Sequence, residues 1–128
     1  MGLNMNGWQG RKCATYQMNK SEFKFKIADG TEYLTRFEKP NKRYYGEDCD
    51  GKCSAPDSEN PTILINPYRG PQTILNTSIH EFAHAHFWDK SEKDVKKFAD
   101  SLSRFLYNHC GWRLKDDGKW PREKRYKG

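Results

Sequence analysis

The stretch Thr77-Ser78-Ile79-His80-Glu81-Phe82-Ala83-His84-Ala85-His86-Phe87-Trp88 decides how this chain is read. Within it, His80-Glu81-Phe82-Ala83-His84 has the spacing H-E-x-x-H. On an α-helix, residues four apart sit one above the other on one face. Two imidazoles so placed can reach the same metal ion, and Glu81 lies about 100° round the helix, beside the coordination position left open. Zinc suits that donor set: it polarises a bound water, and the neighbouring carboxylate takes the proton.

The flanking residues agree with a helix, expected from about Gln72 to Trp88. Leu75, Ile79, Phe82, Ala83 and His86 fall on one side of a 3.6-residue wheel. His80 and His84 fall on the other, with Asn76, Thr77 and Phe87 around them. One face can enter a core while the opposite face carries the ion. His86 lies roughly 200° from the mean direction of the histidine pair. It reads as a buried, hydrogen-bonded core histidine rather than a ligand.

The 128 residues suit one domain with a core of its own. Apolar content is 34% and charged content 31%, so that core is lean, and eighteen aromatic residues must carry much of the burial. The formal charge is +6, unevenly spread: residues 111–128 hold seven Lys or Arg against three Asp or Glu. No stretch reaches the apolar length of a membrane span, and the first residues lack the apolar run of a signal peptide. The expectation is a soluble, cytoplasmic protein. In a reducing compartment Cys13, Cys49, Cys53 and Cys110 are free thiols. The C-x3-C pair Cys49 and Cys53 leaves open a local disulfide, or a second zinc clipped with Cys13 and Cys110.

Residues 1–20 are polar and rich in Gly and Asn, and read as an irregular arm that Trp8 can anchor. Phe23, Phe25 and Ile27 alternate with lysines, the period of a half-buried strand. Ala28-Asp29-Gly30 is the turn and Thr31 to Phe37 the return strand. A three-residue turn with Gly30 left-handed puts Phe25 opposite Tyr33 and gathers the aromatics on one side. Lys39-Pro40-Asn41-Lys42 breaks the strand, and Arg43-Tyr44-Tyr45 is expected to form a third one ending at Gly46. Residues 47–61 read as a polar loop. Thr62-Ile63-Leu64-Ile65 is a strongly β-prone strand. Ser91 caps a second helix whose first turn carries Glu92 and Asp94. Val95, Phe98, Ala99, Leu102, Phe105 and Leu106 give that helix an apolar stripe, and Gly111 stops it. Residues 112–128 form a basic, loosely held tail. The fold class is therefore α+β: an antiparallel sheet packed on the H-E-x-x-H helix and a second, C-terminal helix.

A β-strand, an approach segment, the H-E-x-x-H helix and a capped second helix form the layout of a minimal zincin. More closely, the chain resembles a group of small H-E-x-x-H metallopeptidases of phages and bacteria. The matching parts are Gly46 with Cys49, Ile63-Leu64-Ile65, Leu75-Asn76-Thr77-Ser78-Ile79-His80-Glu81 with His84-Ala85, Ser91-Glu92-Lys93-Asp94-Val95, and Leu102 to Leu106. The resemblance covers roughly residues 43–113, and it implies a zinc peptidase-like fold without naming a target. If phage-encoded, such a protein would act in a host cytoplasm. SprT-like and ImmA-like peptidases are more distant likenesses. Metzincins continue the motif with Gly and His where Phe87 and Lys90 stand here. A third histidine in the SprT-like manner would have to be His109. The gluzincin type, which takes an acid from the following helix, suits the chain better. The candidate acids are Asp89, Glu92, Asp94 and Asp100. Glu92 matches the group's pattern and begins the second helix just after a short turn.

Two readings of function follow. The first is a zinc-dependent peptidase acting on a peptide or protein. His80, His84 and Glu92 hold zinc and Glu81 is the general base. Strand Thr62–Ile65 lies along the cleft to pair with an extended peptide. Tyr44, Tyr45, Tyr68 or His109 are candidates to steady the oxyanion. The second is a nucleic-acid-associated protein with a structural or vestigial zinc site. In that case Trp112, Trp120 and Tyr126, interleaved with Arg113, Lys115, Lys119, Arg122, Lys124, Arg125 and Lys127, stack on bases and contact phosphates.

Overall fold

A computed structural model of the chain describes residues 22–46 and 49–114. The irregular arm expected over residues 1–20, with Trp8 and Cys13, lies outside these residues. So does the basic tail beyond Leu114.

β1 (Glu22–Lys26) and β2 (Glu32–Arg36) form an antiparallel hairpin in which Phe25 stands opposite Tyr33. The register is the one that gathers the aromatic side chains. It is fixed by a three-residue turn in which Gly30, at φ 94°, adopts the left-handed conformation. The carboxylate of Asp29 accepts the backbone N–H of Thr31 at 2.9 Å and closes the turn.

The residues after Pro40 depart from expectation. Arg43-Tyr44-Tyr45 is not a strand: Lys42–Tyr45 makes a single helical turn, α1. The Asn41 side chain accepts the N–H groups of Arg43 and Tyr44, and Gly46 ends the turn at φ 79°. A local cap outweighs the β preference of two aromatic residues here. The polar loop, in turn, contains a strand that composition did not suggest, β3 (Gly51–Cys53). It exists because β4 (Thr62–Ile65) offers it an edge, with Gly51 opposite Ile65 and Cys53 opposite Ile63.

The sheet order is β1-β2-β4-β3. β4 runs parallel to β2 and antiparallel to β3. The sheet is therefore mixed rather than antiparallel, because the chain leaves β2 and returns to β4 in the same direction. The fold class is α+β, as expected. β4 is interior, with both of its edges occupied, and β1 and β3 are the outer strands among the described residues. An extended peptide cannot pair with Thr62–Ile65, contrary to the sequence reading.

α2 (Pro71–His86) begins with Pro71 in the first turn, where a missing N–H costs nothing. α3 (Glu92–Arg104) is capped by Ser91, whose hydroxyl accepts the N–H of Asp94 at 3.1 Å. It continues as a π-helical turn over Phe105–His109, and the chain leaves it at Gly111, φ 78°. Ile27, Tyr33, Phe37, Ile63, Ile65, Ile74 and Ala85 form the core. Leu114 packs against them, so the start of the tail is tied down rather than loose.

The burial of α2 differs from the wheel. Ile74, Thr77, Glu81, Ala83 and Ala85 are buried, whereas Phe82 is exposed. Phe82 instead borders an open apolar groove of about 590 Å³, with Phe25, Ile79, His86, Phe98 and Leu102 among its walls. His86 is half-buried there, its Nε2 accepting the N–H of Ala28 at 3.3 Å. It pins the hairpin turn to the helix and stays off the metal-facing side, though it is less buried than the wheel implied. Among the described residues, no helix is long and apolar enough to cross a membrane.

Cys49, Cys53 and Cys110 are free thiols. Burial pushes the Cys53 thiol up to about 12, with the Glu81 charge adding to the rise. Cys110 is exposed. Alkylation of the native protein at pH 8, read by peptide mapping, should therefore label Cys110 rapidly and leave Cys53 unmodified until denaturant is added. Equal labelling of the two in the native state would contradict the packing of β3 against the core.

Candidate metal centre

α2 and α3 pack as an antiparallel pair, and the chain reverses between them over a few residues. The reversal is closed by the N–H of Phe87 on the Ala83 carbonyl at 2.8 Å and that of Lys90 on the Phe87 carbonyl at 2.9 Å. Glu92, in the first turn of α3, is thereby carried back over the exposed face of α2. Its carboxylate spans both histidines: Oε2 lies 3.0 Å from His80 Nε2 and Oε1 lies 2.9 Å from His84 Nε2. Each imidazole thus aims its Nε2 at the same region. One donor atom from each of His80, His84 and Glu92 lies within 4.8 Å of the others. Two imidazole nitrogens and one carboxylate oxygen at this separation could hold a metal ion.

The two sides of the site differ in access. The His80 and His84 side chains are only 15% and 16% exposed, while that of Glu92 is 70% exposed, so an ion would enter from the Glu92 side. Partial burial pushes the Glu92 carboxyl up, but the hydrogen bonds and charges of His84 and His80 outweigh this and hold it below the usual range. Trp88 stands beside the pair, its ring 6.3 Å from that of His84.

The far ends of the helices are held by polar contacts. The Asn76 amide donates to Asp100 Oδ1 at 2.9 Å and to Ser103 Oγ at 3.1 Å, and Lys96 pairs with Asp100 at 3.0 Å. Asp100 is thus occupied in joining the helices. Asp89 is exposed in the reversal, and Asp94 sits at the capped start of α3. Among the described residues, none of these three, nor His109, joins the metal-ligating group. Nor do the described cysteines form such a group.

Glu81 is placed differently from its neighbours in the motif. It is 7% exposed and lines a cleft of about 230 Å³ together with His80, Glu92, Thr77 and Gly51. Burial pushes its carboxyl up to about 7, the Glu92 charge adds to the rise, and Lys52 opposes it. An acid so placed exchanges a proton readily near neutrality. Tyr44, Tyr45, Tyr68 and His109 do not line this cleft. The Tyr45 ring lies 5.2 Å from Lys52 Nζ.

The wheel places Asn76 and Thr77 beside the histidines, and both border the cleft. Gly51 and Lys96 border it too, but sequence reasoning overlooked them. Gly51 carried no signal beyond being a glycine in a polar loop. No family model, no curated protein and no solved structure matches this chain.

The ligand set is tested by substitution. His80→Ala should abolish stoichiometric zinc retention. Glu92→Gln should weaken zinc affinity by more than the roughly 10–100-fold typical of an outer-shell loss, since an amide is a poor substitute for a carboxylate. Titration with Zn²⁺, followed by the change in tryptophan fluorescence that Trp88→Phe removes, measures both. Unchanged affinity in Glu92→Gln would exclude it as a ligand.

Proposed function

We propose that the chain is a zinc-dependent peptidase of the small H-E-x-x-H zincin type, with His80, His84 and Glu92 as ligands. The observation that carries this reading is the convergence of these three side chains on one face of the helix pair, with the buried Glu81 carboxylate lining a cleft that it shares with His80 and Glu92. A zinc ion held there supplies Lewis acidity toward a carbonyl and makes water acidic near neutral pH.

The chain's own residues supply the rest. Glu81 takes the proton of the attacking water and returns it to the departing amine. It lines the cleft while being largely buried, which holds it in one direction beside His80 and Glu92. The histidines, mostly buried on a rigid helix, hold their Nε2 atoms in fixed directions. β3, an outer strand of the sheet among the described residues, borders the same cleft through Gly51. A peptide substrate lying along that strand would pass Glu81.

Replacing Glu81 by Gln preserves shape and removes the base. Glu81→Gln should keep zinc affinity within a few-fold of wild type and lose about 10²–10⁴-fold in peptide cleavage. The assay is digestion of a mixed peptide library by the zinc-loaded protein with mass-spectrometric readout. Wild-type turnover by Glu81→Gln would sink the mechanism.

A further inference from the structure

β3 is pressed unusually hard against α2. A Cβ built on Gly51 would lie 2.6 Å from Thr77 Cγ2 and 2.9 Å from both Cγ and Oε2 of Glu81. Carbon atoms in ordinary contact sit about 3.5–4.0 Å apart, so a side chain cannot enter without displacing something. The need for glycine here is steric, because Gly51 is not among the described glycines with positive φ.

The neighbours have little room to give way. Thr77 and Glu81 are each 7% exposed. Thr77 is β-branched on a helix and nearly confined to its rotamers. β3 itself is held by pairing with β4, and the Asp50 carbonyl before it accepts the N–H of Asn66 at 2.8 Å. The Glu81 side chain, with three rotatable bonds, is the softest part of the contact.

We propose that Gly51 is the positioning residue of this centre: its bare backbone forms the wall that fixes the direction of the Glu81 carboxylate in the cleft. This rests on the peptidase reading for its catalytic consequence, but its structural content does not. The strand that would receive a peptide and the carboxylate that would serve it are then in direct contact, and one missing side chain sets the spacing of both.

Two measurements on the full-length, zinc-loaded protein test the assignment. In kinetics, Gly51→Ala should lower kcat by about 10–100-fold, as a misplaced catalytic group does, with KM and zinc affinity within about twofold of wild type. Adding Thr77→Ser removes the closest methyl and should restore stability while leaving kcat low, because the two Glu81 contacts persist. That pair of substitutions also carries the kinetics if Gly51→Ala alone does not fold. In thermal unfolding, Gly51→Ala should lower Tm by about 5 °C or more in the wild-type background. It should cost less than half of that in a Thr77→Ser, Glu81→Ala background. Equal Tm losses in the two backgrounds, or a wild-type kcat in Gly51→Ala, would overturn the assignment. If the wild-type protein cleaves no peptide, the peptidase reading fails, and the unfolding cycle alone decides the role of Gly51.

Discussion

The reversal of the chain between His86 and Glu92 is the constraint from which the candidate centre follows. It brings a carboxylate from the start of one helix against two imidazoles near the end of another. Neither helix could assemble the group alone, since His80 and His84 supply two donors and α2 has no acid aimed with them. The packing of Val95 and Ala99, both buried, sets how closely the helices approach. The Asn76 amide bridging to Asp100 and Ser103 sets their relative rotation. A shift of one residue along α3 would turn Glu92 about 100° away from the histidines.

Beside that arrangement, open only on the Glu92 side, stands a more deeply buried one. Glu81 is one residue from His80 yet belongs to the interior, under β3. A carboxyl taken out of water is costly when ionised, and its upward shift expresses that cost. The same helix therefore carries two environments a fraction of a turn apart. Donors sit at the rim, where an ion can reach them, and a carboxyl sits behind them, lining the cleft.

The features legible in the sequence were those set by neighbours close along the chain. The i, i+4 spacing of His80 and His84 fixed a shared helix face, and Ser91 marked the cap that puts Glu92 in a first turn. The alternation of Phe23, Phe25 and Ile27 against Tyr33, Thr35 and Phe37 selected the hairpin register that the structure has. What could not be read depends on partners distant in sequence. Gly51-Lys52-Cys53 has no strand character of its own and becomes β3 only beside β4. The parallel pairing of β2 with β4 follows from the path between them, which no local pattern encodes. Tyr44 and Tyr45 misled because their intrinsic preference was overridden by Asn41. The wheel likewise assigned Phe82 to the core, where it is exposed, and it could not foresee that β3 would cover Glu81.

The mixed sheet bears on the order in which the centre is put together. His80, His84 and Glu92 meet within one helical hairpin, and closing so short a loop costs little chain entropy. The parallel pair joins Arg36 to Leu64 and must close a much longer loop before its contacts repay it. β3 can dock on α2 only once β4 is in place to receive it. Loop closure thus favours a refolding chain that gathers its three donors first and encloses Glu81 last. An ion captured by the hairpin would stabilise the intermediate on which the sheet then closes, so metal supply would act on folding yield as well as on the finished protein.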